Sequence, residues 1–232
     1  KATIDIIADL LVDDLSTGSS GLRSKLPKLL DACDLIMRVG DEYRIQTEES
    51  SAWNDEFLGQ KATLANQSHR IEAERDDLIR KKFGALVGRV SPLQGLSKVT
   101  REVSAIFDPT LPTDESKRVY VWIRDGWATD DNSVRADARQ AGNQSPTVFV
   151  FIPRRSADDL RNNILEFKAA SATLDKRGAP DTPEGKEARG AMETIRQVAD
   201  AKINELILEA MSGARVFQGG GNELTGNGLQ AT

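Results

Sequence analysis

Three carboxylates near the middle of the chain could together bind a divalent cation. Asp125 follows an apolar run, and Asp130 and Asp131 come shortly after it. Carboxylate oxygens are the ligands that Mg²⁺ prefers, so this group would suit a magnesium-dependent hydrolase or nuclease. The favoured interpretation is simpler: Asp130 and Asp131 suit the first turn of a helix, where their charge opposes the helix dipole.

Two adjacent arginines offer a second kind of chemistry, the binding of an anion. Arg154 and Arg155 follow another apolar run and precede a predicted helix. Backbone N–H groups at a helix N-terminus attract anions, and guanidinium groups add to that attraction. The favoured interpretation is that the two arginines lie at the surface and form ion pairs with Asp158 and Asp159 in the first helical turn. Together with Asp125, the arginines form a charged rim where an anion or a partner protein can dock.

The two apolar runs predict the strands that position these charges. Residues 119–123 and 148–152 are β-branched and aromatic, which is typical of strands buried on both faces. Residues 130–140 between them predict a helix. A strand, a helix and a strand in succession predict a right-handed crossover with parallel strands. Because ligands of such sheets bind beyond the carboxyl ends of the strands, we expect Asp125 and the arginine pair at one edge.

The first 50 residues predict a winged helix. Residues 4–15 have helical periodicity, a second helix follows with Pro27 inside it, and residues 35–39 and 43–47 form a hairpin signature. DNA-binding winged helices place one helix in the major groove and use the ribbon as a wing.

Five cations of the second helix and the wing are the candidate phosphate contacts: Arg23, Lys25, Lys28, Arg38 and Arg44. Six acidic residues between positions 31 and 49 oppose that charge, so a role in packing or protein contact is favoured over DNA binding.

The rest of the chain predicts mainly helix. Residues 51–83 predict one long helix with Ser50 or Ser51 as its N-cap, and residues 99–107 predict a strand or a helix. Overall we expect an α+β fold, mainly helical. Its predicted segments are a winged-helix domain (1–50), a long connecting helix and linker (51–95), a small parallel α/β (βαβ) unit (96–155), an antiparallel helical hairpin that can end in a short strand (156–218) and a flexible tail (219–232).

Composition excludes several classes of function. The 232 residues carry a net charge of −5, which argues against a protein coated in nucleic acid. One histidine, His69, excludes chemistry built on paired histidines, and no P-loop sequence is present. One cysteine, Cys33, indicates a reducing compartment, and no apolar run approaches the roughly 20 residues that span a membrane. Without an initiator Met, and with a glycine-rich end, the sequence is expected to be a piece of something longer.

Several long strings of residues resemble the large P-loop ATPase of bacterial BREX phage-exclusion systems (the BrxC/PglY family). These strings are residues 26–30, 38–50, 122–127, 149–158 and 213–221. The resemblance implies a cytoplasmic antiviral ATPase of the AAA+ type that works beside a DNA methyltransferase and an alkaline-phosphatase-like protein. ATP and Mg²⁺ are expected for that longer protein, whose nucleotide-binding motif has no counterpart in this sequence.

We therefore expect a non-catalytic interaction region that has no cofactor of its own and no membrane association. Its expected partners are other BREX proteins, further copies of the same chain, or DNA. The alternative is a degenerate magnesium-dependent nuclease-like or phosphate-binding α/β domain built around Asp125.

Overall fold

A computed structural model describes residues 2–12, 18–33, 35–45, 47–94, 98–111 and 118–224. The fold is mixed α+β, and helix predominates over strand. The helices of the described residues are α1 (Ile4–Leu10), α2 (Ser20–Asp31), α3 (Glu48–Ala65), α4 (Ser68–Val87), α5 (Asp131–Ala141), α6 (Ala157–Arg177) and α7 (Pro183–Ser212). The strands are β1 (Ile36–Val39), β2 (Glu42–Ile45), β3 (Leu93–Gln94), β4 (Val99–Thr100), β5 (Glu102–Ile106), β6 (Arg118–Asp125), β7 (Val148–Ile152), β8 (Arg215–Gln218) and β9 (Glu223–Leu224).

The largest sheet has five strands in the order β5-β6-β7-β8-β9. The predicted strand–helix–strand unit is present: β6 and β7 pair in parallel, with Trp122 opposite Phe149, and α5 connects them. β5 is parallel to β6, whereas β8 and β9 are antiparallel to their neighbours. The carboxyl ends of β6 and β7 therefore lie at the same edge of the sheet, as the sequence predicts.

Aromatic side chains form the core between this sheet and α5. The rings of Trp122 and Phe149 meet edge to face with 5.6 Å between their centroids, a favourable aromatic geometry. The indole N–H of Trp122 donates to the carbonyl of Asp108 at 2.8 Å, so its one polar atom is satisfied. The buried members of this cluster are Trp122, Val134, Ala138, Phe149, Phe151 and Phe217.

Two helices and an antiparallel ribbon make up the beginning of the chain. The ribbon β1–β2 turns at Gly40, whose φ of +61° is one that side chains rarely adopt. The N–H of Tyr43 donates to the carbonyl of Ala2 at 2.8 Å, which joins the ribbon to the segment before α1. α1 ends at Leu10, earlier than the predicted residue 15, which lies outside the described residues.

The predicted long helix over 51–83 is two helices, α3 and α4. α3 begins after Thr47, which caps it in place of the predicted Ser50 or Ser51. The break follows Ala65, where the N–H of Gln67 donates to the carbonyl of Leu64 at 2.9 Å, a tight turn instead of a continued α-helical ladder. Asn has a lower helix propensity than Ala or Leu, so Asn66 favours an interruption here. α4 then extends past Gly84 to Val87.

Residues 219–224, predicted as part of a flexible tail, are a turn followed by strand β9. Gly220 and Gly221 have φ values of +88° and +79°, which only glycine adopts readily. The N–H of Gly220 donates to the carbonyl of Ala138 at 2.8 Å, which fixes the turn to α5. The rest of the predicted tail, 225–232, lies outside the described residues.

The chain forms two compact units, and neither is one continuous segment. The first comprises Lys1–Ile71 and Asn162–Lys202, and the second comprises Glu72–Arg161 and Ile203–Thr232. The predicted partition into successive segments differs from this division, because helices α4, α6 and α7 each contribute to both units.

In the first unit, ion pairs join α3 to α6. The ammonium group of Lys61 lies 2.7 Å from a carboxylate oxygen of Glu166, and that of Lys176 lies 2.7 Å from one of Glu56. This unit is therefore held together by residues that lie about a hundred positions apart in the sequence.

Candidate functional site

Asp125 stabilises the loop that follows β6. Its Oδ1 accepts hydrogen bonds from the backbone N–H groups of Trp127 at 2.9 Å and Ala128 at 3.2 Å. Its carbonyl oxygen accepts from the N–H of Thr129 at 3.0 Å. A carboxylate that accepts several backbone N–H groups shapes a turn, so Asp125 has a structural role before any ligand is considered.

The other two predicted metal ligands also have partners within the protein. Asp130 is the N-cap of α5 and accepts from the N–H of Ser133 at 2.9 Å. This backbone bond, with a second from the Ser133 hydroxyl, lowers the pKa of Asp130. Asp131 forms an ion pair with Arg215. In the part of the chain that the structure describes, no three His, Cys, Asp or Glu side chains form a metal-binding group.

The loop after β6 and the segment after β7 lie against each other. The N–H of Gly126 donates to the carbonyl of Ile152 at 2.8 Å, and a Cβ at Gly126 would lie 2.6 Å from the backbone nitrogen of Arg154. Asp125 and Arg154 therefore belong to neighbouring loops at one edge of the sheet. Both arginines of the predicted docking rim are exposed, and the guanidinium of Arg155 lies beside Gly213.

Two of the five predicted DNA contacts form ion pairs with acidic neighbours. Arg23 pairs with Asp9 at 2.9 Å, and Arg44 pairs with Glu187 at 3.0 Å. Each arginine makes a second ion pair, with Asp5 and Glu42 respectively.

The other three predicted contacts differ among themselves. The Nε of Arg38 donates to the carbonyl of Gly40 at 3.0 Å, within the ribbon turn. Lys25 and Lys28 are exposed and form no ion pair with the described residues. Three of the five cations thus have polar partners within the protein: Arg23, Arg38 and Arg44.

The sequence interpretation did not anticipate the apolar surface near the chain start. Leu10 is 80% exposed, and Ile45 is 81% exposed although it lies in a predicted strand. The large exposed apolar side chains of α1, α2 and the ribbon region are Ile6, Leu10, Leu11, Leu29, Leu35 and Ile45. Ala8, Leu26 and Tyr43 are buried apolar side chains of the same part of the chain.

Comparison of the chain with family models, curated proteins and solved structures found no match.

Among the described residues, every helix is too short or too polar to cross a membrane.

Proposed function

We propose that the chain is a non-catalytic interaction region of a bacterial phage-defence ATPase of the BREX type. In this proposal the first 50 residues are a winged-helix module that binds another protein. Helices α6 and α7 form an antiparallel hairpin, and the α/β unit is a scaffold. The resemblance of the sequence to the BREX ATPase family supports this choice of parent protein.

The exposed apolar side chains of the first 45 residues carry the proposal. Six large apolar side chains there are exposed: Ile6, Leu10, Leu11, Leu29, Leu35 and Ile45. Where exposed apolar side chains form a contiguous patch on a soluble domain, a partner commonly covers it. Covering it stabilises a complex by roughly 25 cal/mol per Å².

The competing functions have less support from the contacts. A DNA-binding winged helix needs free cations, whereas Arg23 and Arg44 are paired with carboxylates. A magnesium-dependent nuclease needs carboxylates that converge on one point. Instead, Asp125 accepts hydrogen bonds within a loop, Asp130 caps a helix and Asp131 forms an ion pair.

The test measures binding of the whole chain to two purified BREX proteins, the methyltransferase and the alkaline-phosphatase-like protein. We expect one of them to bind, and the double variant Leu10→Gln with Ile45→Thr to weaken that binding about tenfold or more, because both side chains would be buried in the complex. Isothermal titration calorimetry gives the affinity.

The matched control replaces two exposed apolar residues elsewhere, Leu58→Gln with Val198→Gln, at positions that are 52% and 56% exposed. This control should bind like the unmodified chain. If neither BREX protein binds, or if both double variants bind equally weakly, the proposal is wrong.

A further inference from the structure

Two adjacent arginines after β7 have no partner in the described part of the protein. Arg154 and Arg155 are exposed, and neither guanidinium group forms an ion pair or a hydrogen bond with another described residue. The ion pairs with Asp158 and Asp159 that the sequence favours are therefore not formed, although both carboxylates lie in the first turn of α6. Two guanidinium groups thus remain available to the carboxylate or phosphate groups of another molecule.

Two glycines allow the backbone to approach this arginine pair closely. A Cβ at Gly126 would lie 2.6 Å from the backbone nitrogen of Arg154 and 3.0 Å from its Cβ. A Cβ at Gly213 would lie 2.6 Å from the Cζ of Arg155, so that guanidinium group lies directly against the backbone. Neither glycine has a positive φ, so the backbone conformation does not require glycine at these positions. A side chain at either position would instead disturb the placement of an arginine.

The two glycines lie on opposite sides of the end of β7. Gly126 follows β6, whose end pairs with the end of β7. Gly213 lies just before β8, which pairs with β7 on its other side. Since neighbouring strands are about 4.8 Å apart, the segments that contact Arg154 and Arg155 are about 10 Å apart. The arginine pair is therefore spread along the edge of the sheet, which suits an elongated ligand better than one small anion.

The loop beside Arg154 is fixed by its own contacts. Asp125 accepts a hydrogen bond from the N–H of Trp127 at 2.9 Å, and the guanidinium of Arg75 lies 4.7 Å from the centroid of the Trp127 ring. Arg75 also pairs with Asp76 at 2.7 Å, so its charge is compensated within α4. A surface that is ordered before binding loses less conformational entropy when a partner docks.

We propose that Arg154 and Arg155 bind an acidic segment of another protein, with one carboxylate on each guanidinium group. A guanidinium group can bind a carboxylate through two parallel hydrogen bonds, which gives the pair a defined geometry. In an extended segment, side chains two positions apart lie on the same face, about 7 Å from each other. Alternating Glu or Asp residues therefore match the spread of the arginine pair. This surface shares no residue with the apolar surface of the proposed function, so either proposal can fail without the other.

The charges around the arginine pair favour a protein ligand over nucleic acid. A DNA duplex is bound through many phosphates and needs a broad basic surface, whereas Asp158 and Asp159 are exposed close to the arginines in the sequence. The net charge of −5 also weakens the attraction of the whole protein for a polyanion. Single-stranded nucleic acid stacks its bases on open aromatic rings, and the ring of Trp127 already contacts the guanidinium of Arg75. A short acidic segment needs only the two guanidinium groups.

The test is a fluorescence anisotropy titration of the whole chain against a labelled peptide in which Glu alternates with Thr. The same peptide with Gln in place of Glu is the ligand control. We expect the unmodified chain to bind the Glu peptide and not the Gln peptide. The variant Arg154→Gln with Arg155→Gln should bind the Glu peptide about tenfold more weakly, because both ion pairs with the peptide are lost.

A second variant, Gly213→Ala, changes the position of Arg155 without removing its charge. The new Cβ would displace the guanidinium group, which is the flexible end of a side chain. We therefore expect binding of the Glu peptide to weaken severalfold, while the thermal unfolding followed by circular dichroism stays unchanged.

The matched control is Arg89→Gln with Arg139→Gln, which removes the same charge from exposed positions of the same compact unit. It should bind like the unmodified chain, and circular dichroism melts should show that every variant folds. The proposal is overturned if the unmodified chain does not bind the Glu peptide, if it binds the Gln peptide equally well, or if the control weakens binding as much as the variant of Arg154 and Arg155. Unchanged binding by Gly213→Ala, or tighter binding of the unmodified chain to a DNA duplex than to the Glu peptide, also overturns it.

Discussion

Arg215 lies between two carboxylates that belong to different elements. One guanidinium nitrogen is 2.6 Å from a carboxylate oxygen of Glu223 on β9, and another pairs with Asp131 at the start of α5. The hydrogen bond from Arg215 lowers the pKa of Glu223, and the bond to Glu223 raises the pKa of Arg215. A single side chain thus ties the last described strand to β8 and to α5.

This network makes stability depend on pH in a predictable direction. The pKa of Glu223 is lowered in the folded protein, so its contribution is present above the unfolded value of 4.5 and is lost as pH falls through the folded pKa. We expect Glu223→Gln to be less stable than the unmodified chain at pH 7, and the difference to narrow below pH 4.5. Urea unfolding at a series of pH values measures it. The control Glu72→Gln, at an exposed position of α4, should differ little in stability from the unmodified chain at pH 7. A difference between Glu223→Gln and the unmodified chain that is constant with pH would contradict the prediction.

At the scale of elements, the beginning of α3 is set by a reciprocal cap. The hydroxyl of Thr47 accepts from the N–H of Ser50 at 3.2 Å, and the hydroxyl of Ser50 accepts from the N–H of Thr47 at 2.7 Å. The sequence interpretation placed the cap at Ser50 or Ser51. Because serine and threonine both suit the N-cap, the pattern of residue types alone does not decide among neighbouring positions.

Substitution at these positions distinguishes the two interpretations. Thr47→Ala should lower the free energy of unfolding by about 1 kcal/mol, since the N–H of Ser50 loses the Thr47 hydroxyl as its acceptor. Thr63→Ala, at an exposed position inside α3, is the control and should have little effect. Urea unfolding followed by circular dichroism gives both values. A larger loss from Ser51→Ala than from Thr47→Ala would show that the helix begins later.

The strands and the helix break differ in how much the sequence reveals about them. β6 and β7 are predicted well because runs of β-branched and aromatic residues are a local property of buried strands. The break between α3 and α4 is missed because the apolar repeat continues across it: Leu64 and Ile71 are both buried. An apolar residue at every seventh position shows which face of a helix is buried. It does not show that the helix is interrupted for one turn.

At the scale of the whole molecule, each compact unit combines segments that are distant in sequence. The first unit contains α3 together with parts of α6 and α7, and the guanidinium of Arg177 donates to the carbonyl of Ala52 at 2.7 Å. Such a unit cannot be separated from the chain by one cut. The partition into successive domains, which is the natural expectation from composition and turns, does not describe it.

A fragment experiment tests this organisation. The fragment 1–71 alone should show no cooperative thermal transition, because the residues that complete its core lie at 162–202. The control joins 1–71 to 162–202 through a flexible Gly/Ser linker and should restore a cooperative melt by circular dichroism. Cooperative unfolding of the fragment 1–71 alone would show that it is an independent domain.

Local sequence patterns predicted several elements correctly, whereas only the folded chain shows which distant residues contact each other. The sequence predicted β6, α5 and β7 in the correct order and the hairpin around Gly40, since hydrophobic period and turn residues act within a few positions. Only the folded chain shows that Arg44 pairs with Glu187, which is 143 residues away. The same holds for the ion pair between Asp131 and Arg215, which are 84 residues apart. Charges distant in sequence interact only when the fold brings them within a few ångströms, and one-dimensional spacing does not encode that proximity.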